Sequence, residues 1–351
     1  MLAPIPVIIL TGFLGSGKTT LINSLLRLPE FTGTAVLINE LGDVSLDHDL
    51  ILDIDDELIT TTTGCMCCTA AGDVQNALFG LWHRRTKRKI SKFSRVIIEA
   101  TGLVDPAPAI ANLLTSPGGN LIQNTVITQF VLSSVVTLFD IVHGYSTLEQ
   151  HPEAAKQVAL ADIIVLTKSD LVDNFKVKAN VDRDRKALVK LNPGANILDK
   201  KHDWRLLNNA LLTPKTYDLR SKEENASAWL DTDYYMEEGQ NFHTHNHKHQ
   251  SHDTSLITSH CILLEEAITP LMFSLFLNSL KVISGSDLLR MKGLFKLTDD
   301  PERPFVAHGV QQTIHPIHRL ERWPSKDRRT RIILIGKGLK IKSIRAVLNL
   351  S

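Results

Sequence analysis

Cysteine is scarce in this chain, four residues in 351. A chain of that length buries enough apolar surface to fold without cross-links, so a disulfide-stapled architecture is excluded. Neither sign of charge is in excess: 39 Lys and Arg stand against 38 Asp and Glu, a formal net charge of +1. That balance removes the electrostatic argument for nucleic acid as a partner. The basic run HRRTKRK (83–89) is expected to be a solvated face near a helix end. Long hydrophobic runs are missing too; no segment reaches membrane-spanning length, and no membrane partner is expected. The opening MLAPIPVIILTGFLG lacks a basic leader and runs into a glycine-rich loop, so no signal peptide is expected. A cytoplasmic, reducing setting is expected, where clustered cysteines more often bind metal or do redox work.

Against that background, IPVIILTG is a continuous apolar, β-branched run of the kind a strand buried on both faces requires. It leads into GFLGSGKTT (12–20), which fits G-x-x-x-x-G-K-[ST] with Gly12, Gly17, Lys18 and Thr19 in register. In that pattern the glycines let backbone N–H groups converge on phosphate oxygens, the lysine neutralises charge on the β- and γ-phosphates, and the threonine hydroxyl ligates Mg²⁺. Gly15, Ser16 and Thr20 complete the expected phosphate cradle. A helix, TTLINSLLRL, follows and supplies its dipole.

Two further stretches narrow the nucleotide. FSRVIIEATG (93–102) ends a strand on Glu99, placed for a direct or water-mediated Mg²⁺ contact, with the Gly102 amide placed for the γ-phosphate. ADIIVLTKSDL (161–171) closes another buried strand on Thr167, Lys168 and Asp170. Asp170 suits two N–H donors of a guanine edge, with the Lys168 stem along the ring; adenine would leave that carboxylate poorly paired. GTP is the expected nucleotide.

In order along the chain, GFLGSGKTT, NELGD (39–43), GCMCC (64–68), EATGLVDPAP (99–108) and TKSD (167–170) resemble the CobW-like P-loop GTPases. The likeness continues through SGSDLLRMKGLFKL (284–297), VAHGVQQ (306–312) and RRTRIILIGKGL (328–339), and leaves uncovered chiefly residues near 200–255. The resemblance implies a GTP hydrolase acting as a metallochaperone: nucleotide state gates transfer of a transition metal to a client metalloprotein. It also implies that Cys65, Cys67 and Cys68 hold the metal, Zn²⁺ first and Co²⁺ or another divalent ion as alternatives. Thiolates suit such metals, yet three adjacent donors do not close a tetrahedral site; Glu40, Asp43 or His48, at the switch I position, are the candidates to complete it. Because γ-phosphate can order such a segment, metal and nucleotide would share it. Two residues depart from the family pattern. Ile38 stands where some members carry a carboxylate, and Thr167 stands where most GTPases have asparagine. Two other functions stay open: a P-loop small-molecule kinase with structural cysteines, and a metal buffer indifferent to nucleotide. As residues alone, the cysteines also read as a buried apolar trio or a redox pair. Slow intrinsic hydrolysis is expected, since no motif fixes an arginine finger. A homo-oligomer is left open.

Alternating apolar strands and amphipathic helices predict an α/β P-loop fold, a mostly parallel sheet with helices on both faces over 1–200. TAVLINE, RVIIEA, SSVVTLFD and DIIVLTK are its expected core strands, Asp140 reads equally as a turn cap or a functional residue, and Pro106 is expected near a helix start. Residues 201–255 read as a polar linker or insertion carrying His243, His245, His247, His249 and His252, either a metal-capturing tract or a solvated spacer. Residues 256–351 read as a small α+β domain, with Cys261 in its first strand as core rather than ligand; His308, His315 and His318 are candidates to receive metal or contact a client, with surface or turn residues the preferred reading.

Overall fold

The computed structural model describes residues 4–39, 59–63, 73–114, 121–171, 174–213, 257–314 and 317–348. It divides into two compact units, one of Met1–Lys186 with Asn196–Ser221, the other of Ala187–Ala195 with Lys222–Ser351.

The first unit is built on seven strands: β1 (Ile5–Gly12), β2 (Thr34–Asn39), β3 (Ile59–Thr63), β4 (Arg95–Glu99), β5 (Phe130–Asp140), β6 (Ile163–Thr167) and β7 (Asn196–Asp199). They lie in the order β3-β2-β4-β1-β5-β6-β7, and every pair is parallel. Between them run α1 (Lys18–Leu26), α2 (Asp73–Thr86), α3 (Ala107–Leu114), α4 (Leu121–Ile127), α5 (Gly144–Gln150), α6 (Pro152–Leu160), α7 (Asn174–Leu191) and α8 (Trp204–Leu212). The period of two along β1 explains why its run is apolar throughout: Ile8 and Leu10 pack with Leu21, Ile22 and Leu25 of α1, while Ile5 and Val7 pack with Val74, Leu78 and Leu81 of α2. Each such fully buried side chain contributes about 1.5–3 kcal/mol. Ile38 belongs to this core as well. It is 3% exposed, packs among the apolar cluster that includes Ile8, Val36 and Ile97, and pairs in register with Glu99. Ile38 is therefore a packing residue at a position where a carboxylate would have to be buried.

The structure extends this unit past residue 200. Leu207 and Leu211 of α8 sit one turn apart and enter the same core as β1, so the start of the stretch read as linker is an amphipathic helix. Strands β3 and β7 were not read from the sequence, the first because ITTTT carries little apolar signal.

The second unit is antiparallel. Strands β8 (Ile257–Leu264), β9 (Leu288–Phe295), β10 (Phe305–Val310), β11 (Thr313–Ile314), β12 (His318–Arg319) and β13 (Thr330–Lys337) form one sheet ordered β11-β10-β9-β13-β8, with β12 pairing β10. Helix α9 (Pro270–Ser284) starts with proline at its first turn and a Thr269 hydroxyl that accepts from the Met272 amide at 3.1 Å. Its buried stripe, Phe273, Phe276, Leu277 and Leu280, packs on Met291, Phe295 and Leu334, and α10 (Ile341–Val347) adds Ile344. Cys261 lies in β8 as expected, and burial pushes its thiol up to about 12, which leaves it an inert thiol at neutral pH. His308 corrects the surface reading: it is 3% exposed in β10, opposite Lys292, because both faces of that strand are covered; Ala307 faces the α9 core, and His308 lies on the other face with the buried Lys292 and Arg290. His318 is exposed as expected; His315 lies outside the described residues.

Among the described residues no helix is long and apolar enough to cross a membrane.

Candidate functional site

The carboxyl ends of the parallel strands gather the sequence-predicted residues. Strand β1 runs through Gly12 into the loop, and α1 begins at Lys18. Gly12 has φ of +140°, and a Cβ there would stand 2.6 Å from the Leu138 carbonyl oxygen and 2.8 Å from Ser16 Oγ, so no other residue fits. Gly15 and Gly17 also take positive φ, 70° and 93°. No side chain caps α1, which leaves its first-turn N–H groups to an anion or water. The Lys18 ammonium is held within the cradle, donating to the Gly12 carbonyl at 2.8 Å and to that of Phe13 at 3.3 Å. The Ser16 hydroxyl is buried with no hydrogen-bond partner among the described residues. A phosphate group fits this cradle on each of these counts.

Thr19 and Glu99 meet across it. The Thr19 hydroxyl donates to Glu99 Oε1 at 3.2 Å, and Glu99 is 6% exposed at the end of β4. Two oxygen donors at the mouth of a phosphate loop suit a hard cation such as Mg²⁺. The segment after Glu99 folds back over the loop: a Cβ on Gly102 would lie 2.6 Å from the Leu14 amide nitrogen. Helix α6 holds this segment from behind. Gln157, 1% exposed, donates through Nε2 to the carbonyls of Gly102 at 3.0 Å and Val104 at 3.2 Å. Its neighbour Lys156 pairs with Asp105 at 2.9 Å. Asp105 in turn accepts from the Ala107 amide at 2.9 Å, capping α3 just after Pro106.

On the other flank, Thr167 is 3% exposed and its hydroxyl donates to the Ser16 carbonyl at 2.8 Å. The threonine thus braces the phosphate loop directly. Lys168 takes a positive φ of 62°, and its ammonium pairs with Asp140 at 2.8 Å. Asp140 also accepts from the Val142 amide at 2.8 Å, as the turn-cap reading of that residue requires. Asp170 is exposed at the rim. A cavity of about 210 Å³ opens beneath the loop, with Phe13, Ser16, His143, Gln157 and Lys168 among its walls.

Beyond β7 stands a group that the sequence reading missed. Asp199 Oδ1 accepts from the Ser169 hydroxyl at 3.1 Å and from the amides of Lys201 at 2.7 Å and His202 at 3.3 Å. The signal was present as an acidic residue ending a short strand before KKHD, but without β7 assigned it carried no position.

A family model of the CobW/HypB/UreG nucleotide-binding domain matches residues 6–199, more than half of the chain. The chain belongs to that family. Its second region agrees, since a model described as the cobalamin synthesis protein cobW C-terminal domain matches residues 257–350. This CobW-family chain is 30% identical to the protein named zinc chaperone YjiA of Escherichia coli, the alignment covering 98% of this chain and 97% of that one. It is 26% identical to the zinc-regulated GTPase metalloprotein activator 1 of Schizosaccharomyces pombe, over 96% of this chain and 84% of the other. The solved structure of Zn(II)-bound YjiA GTPase from E. coli superposes on the CobW-family chain with a TM-score of 0.69 and 25% identity, covering 99% of each. The proposed metal donors Cys65, Cys67, Cys68, Glu40 and Asp43, with His48 and the histidines of 243–252, lie outside the described residues. Among the described residues no three His, Cys, Asp or Glu side chains gather in a way that could hold a metal ion.

Proposed function

We propose that the protein is a slow GTP hydrolase that carries a transition metal, zinc foremost, and releases it to a client metalloprotein under control of its nucleotide. The observation that carries the reading is the closure around the phosphate loop: Thr19 joined to Glu99, Gly102 laid against Leu14, and Thr167 tied to Ser16. The relatives' names, which include both a zinc chaperone and a zinc-regulated GTPase, agree with it.

In this reading the loop amides and the Lys18 ammonium bind the β- and γ-phosphates and oppose the charge that grows as the γ-phosphoryl group leaves. Thr19 and Glu99 hold Mg²⁺, which when bound neutralises charge on the β- and γ-oxygens. Gly102 offers its amide to the γ-phosphate, so the 102–105 segment senses whether that group is present. Asp170 reads the guanine edge above Lys168. Cys65, Cys67 and Cys68 hold the cargo with Glu40 or Asp43, and the tract of five histidines within 243–252 is a spacer or a secondary capture tract.

A competition titration of Zn²⁺ against a calibrated chelator, with a Mg²⁺-GTP analogue and again with Mg²⁺-GDP, tests the coupling. Linkage is reciprocal, so metal affinity is expected to differ by roughly 5- to 150-fold between the two states, and the difference is expected to vanish in Cys67→Ala. Equal affinities in both states would remove the gating mechanism.

A further inference from the structure

A guanine presents three groups along its pairing edge in a fixed order: the N2 amine, the N1–H and the O6 acceptor. A carboxylate that takes the first two leaves O6 in need of a donor immediately beside it. Backbone N–H groups of the loop after the next strand would be the ready donors. In this chain they are all used internally. The Lys200 amide donates to the Leu166 carbonyl at 2.9 Å and the Asp203 amide to the Asp199 carbonyl at 2.8 Å, while the amides of Lys201 and His202 turn back onto Asp199 Oδ1. The Ser169 hydroxyl is committed to the same carboxylate oxygen.

The Lys200 side chain starts at the head of that loop. Parallel pairing sets Leu166 of β6 beside Asp199 of β7, so Lys200, one residue past β7, emerges next to the TKSD loop. Its ammonium is half-buried, and burial pulls it below the usual lysine range while the charge of Asp170 pulls the other way. The two nevertheless form no ion pair among the described residues, in contrast to Lys168 and Asp140 at 2.8 Å. By that register Lys200 stands next to Thr167, three residues before Asp170, and a cation and a carboxylate so placed, with no ion pair between them, match the acceptor and donor halves of one base edge.

We propose that Lys200 is a specificity-determining residue that donates to O6 of the guanine base, replacing a backbone donor that Asp199 has withdrawn. The inference rests on the guanine reading of the site. It also explains rejection of adenine from a second direction, because an amine at position 6 would face an ammonium.

The test is a protein-by-ligand cycle using GDP, 6-thio-GDP, in which sulfur replaces O6 and accepts weakly, and IDP, which lacks the N2 amine. Wild type is expected to bind 6-thio-GDP roughly tenfold more weakly than GDP. Lys200→Met is expected to bind both with affinities within about twofold of each other, Lys200→Arg to keep the preference, and IDP discrimination to survive in both variants, since Asp170 reads N1 and N2. Undiminished preference for GDP over 6-thio-GDP in Lys200→Met overturns the proposal. Asp170→Asn, measured with XDP, separates the two levels. A switch of preference toward XDP upholds the base pocket whatever Lys200 does. Failure to switch overturns the guanine reading and the role of Lys200 with it.

Discussion

Single residues at this site act through the loop they hold as much as through any ligand. Thr167 shows this most directly: its hydroxyl meets the buried Ser16 carbonyl, and removing it leaves that acceptor unpaired at a cost of roughly 1–3 kcal/mol. Thr167→Val is therefore expected to weaken GDP and GTP binding together while leaving the ratio of GDP to IDP affinity unchanged, which fluorescence titration with the three nucleotides would measure. A changed base preference would instead make Thr167 part of the base pocket. The residue was legible in TKSD as a departure from pattern. Its partner was not, because Ser16 stands 151 residues earlier and only strand order brings the two together.

At the scale of elements, α6 acts as a latch. Gln157 and Lys156 grip three positions of the segment after β4, and the Gln157 grip is buried whereas the Lys156 pair is partly exposed and worth little. Gln157→Leu is expected to leave GDP affinity within about twofold of wild type, to weaken binding of a GTP analogue by about fivefold or more, and to slow hydrolysis. Equal losses for both nucleotides would reduce the glutamine to a packing residue. The helix itself is legible in the apolar spacing of PEAAKQVAL. Its role was invisible there, since a glutamine on the inner face of a helix reads as an ordinary interruption until the Gly102 and Val104 carbonyls are seen opposite it.

For the molecule as a whole, pH dependence follows from buried charge. Asp184 of α7 is fully buried, and desolvation raises its carboxyl above the usual aspartate range, with the charge of Asp140 adding to this and Arg183 opposing it. A carboxyl that titrates higher in the folded chain than in the unfolded one contributes stability that is whole below the unfolded pKa and is lost as pH rises through the folded pKa. Asp184→Asn, which cannot ionise, is expected to gain stability relative to wild type as pH is raised from about 3.5 to 7, as read by urea unfolding at each pH. A difference that does not vary with pH would mean that the carboxyl is neutralised by Arg183 throughout.

Local patterns carried much of the identity of this protein. A phosphate loop is written in adjacent residues because its geometry depends on consecutive backbone angles, and strands such as IIVLT announce themselves because a sheet buried on both faces needs unbroken apolar runs. Motif order was enough to point to the family and to place Gly12, Lys18, Thr19, Glu99 and Asp170 at one end of the sheet. What tertiary structure alone decided are the pairings between distant strands and helices: Ile38 as core, His308 buried, α8 packed as part of the first unit, Thr167 bracing Ser16, Gln157 holding Gly102, and Asp199 drawing in the amides of Lys201 and His202. Such contacts depend on strand order and register, and sequence spacing holds no record of either.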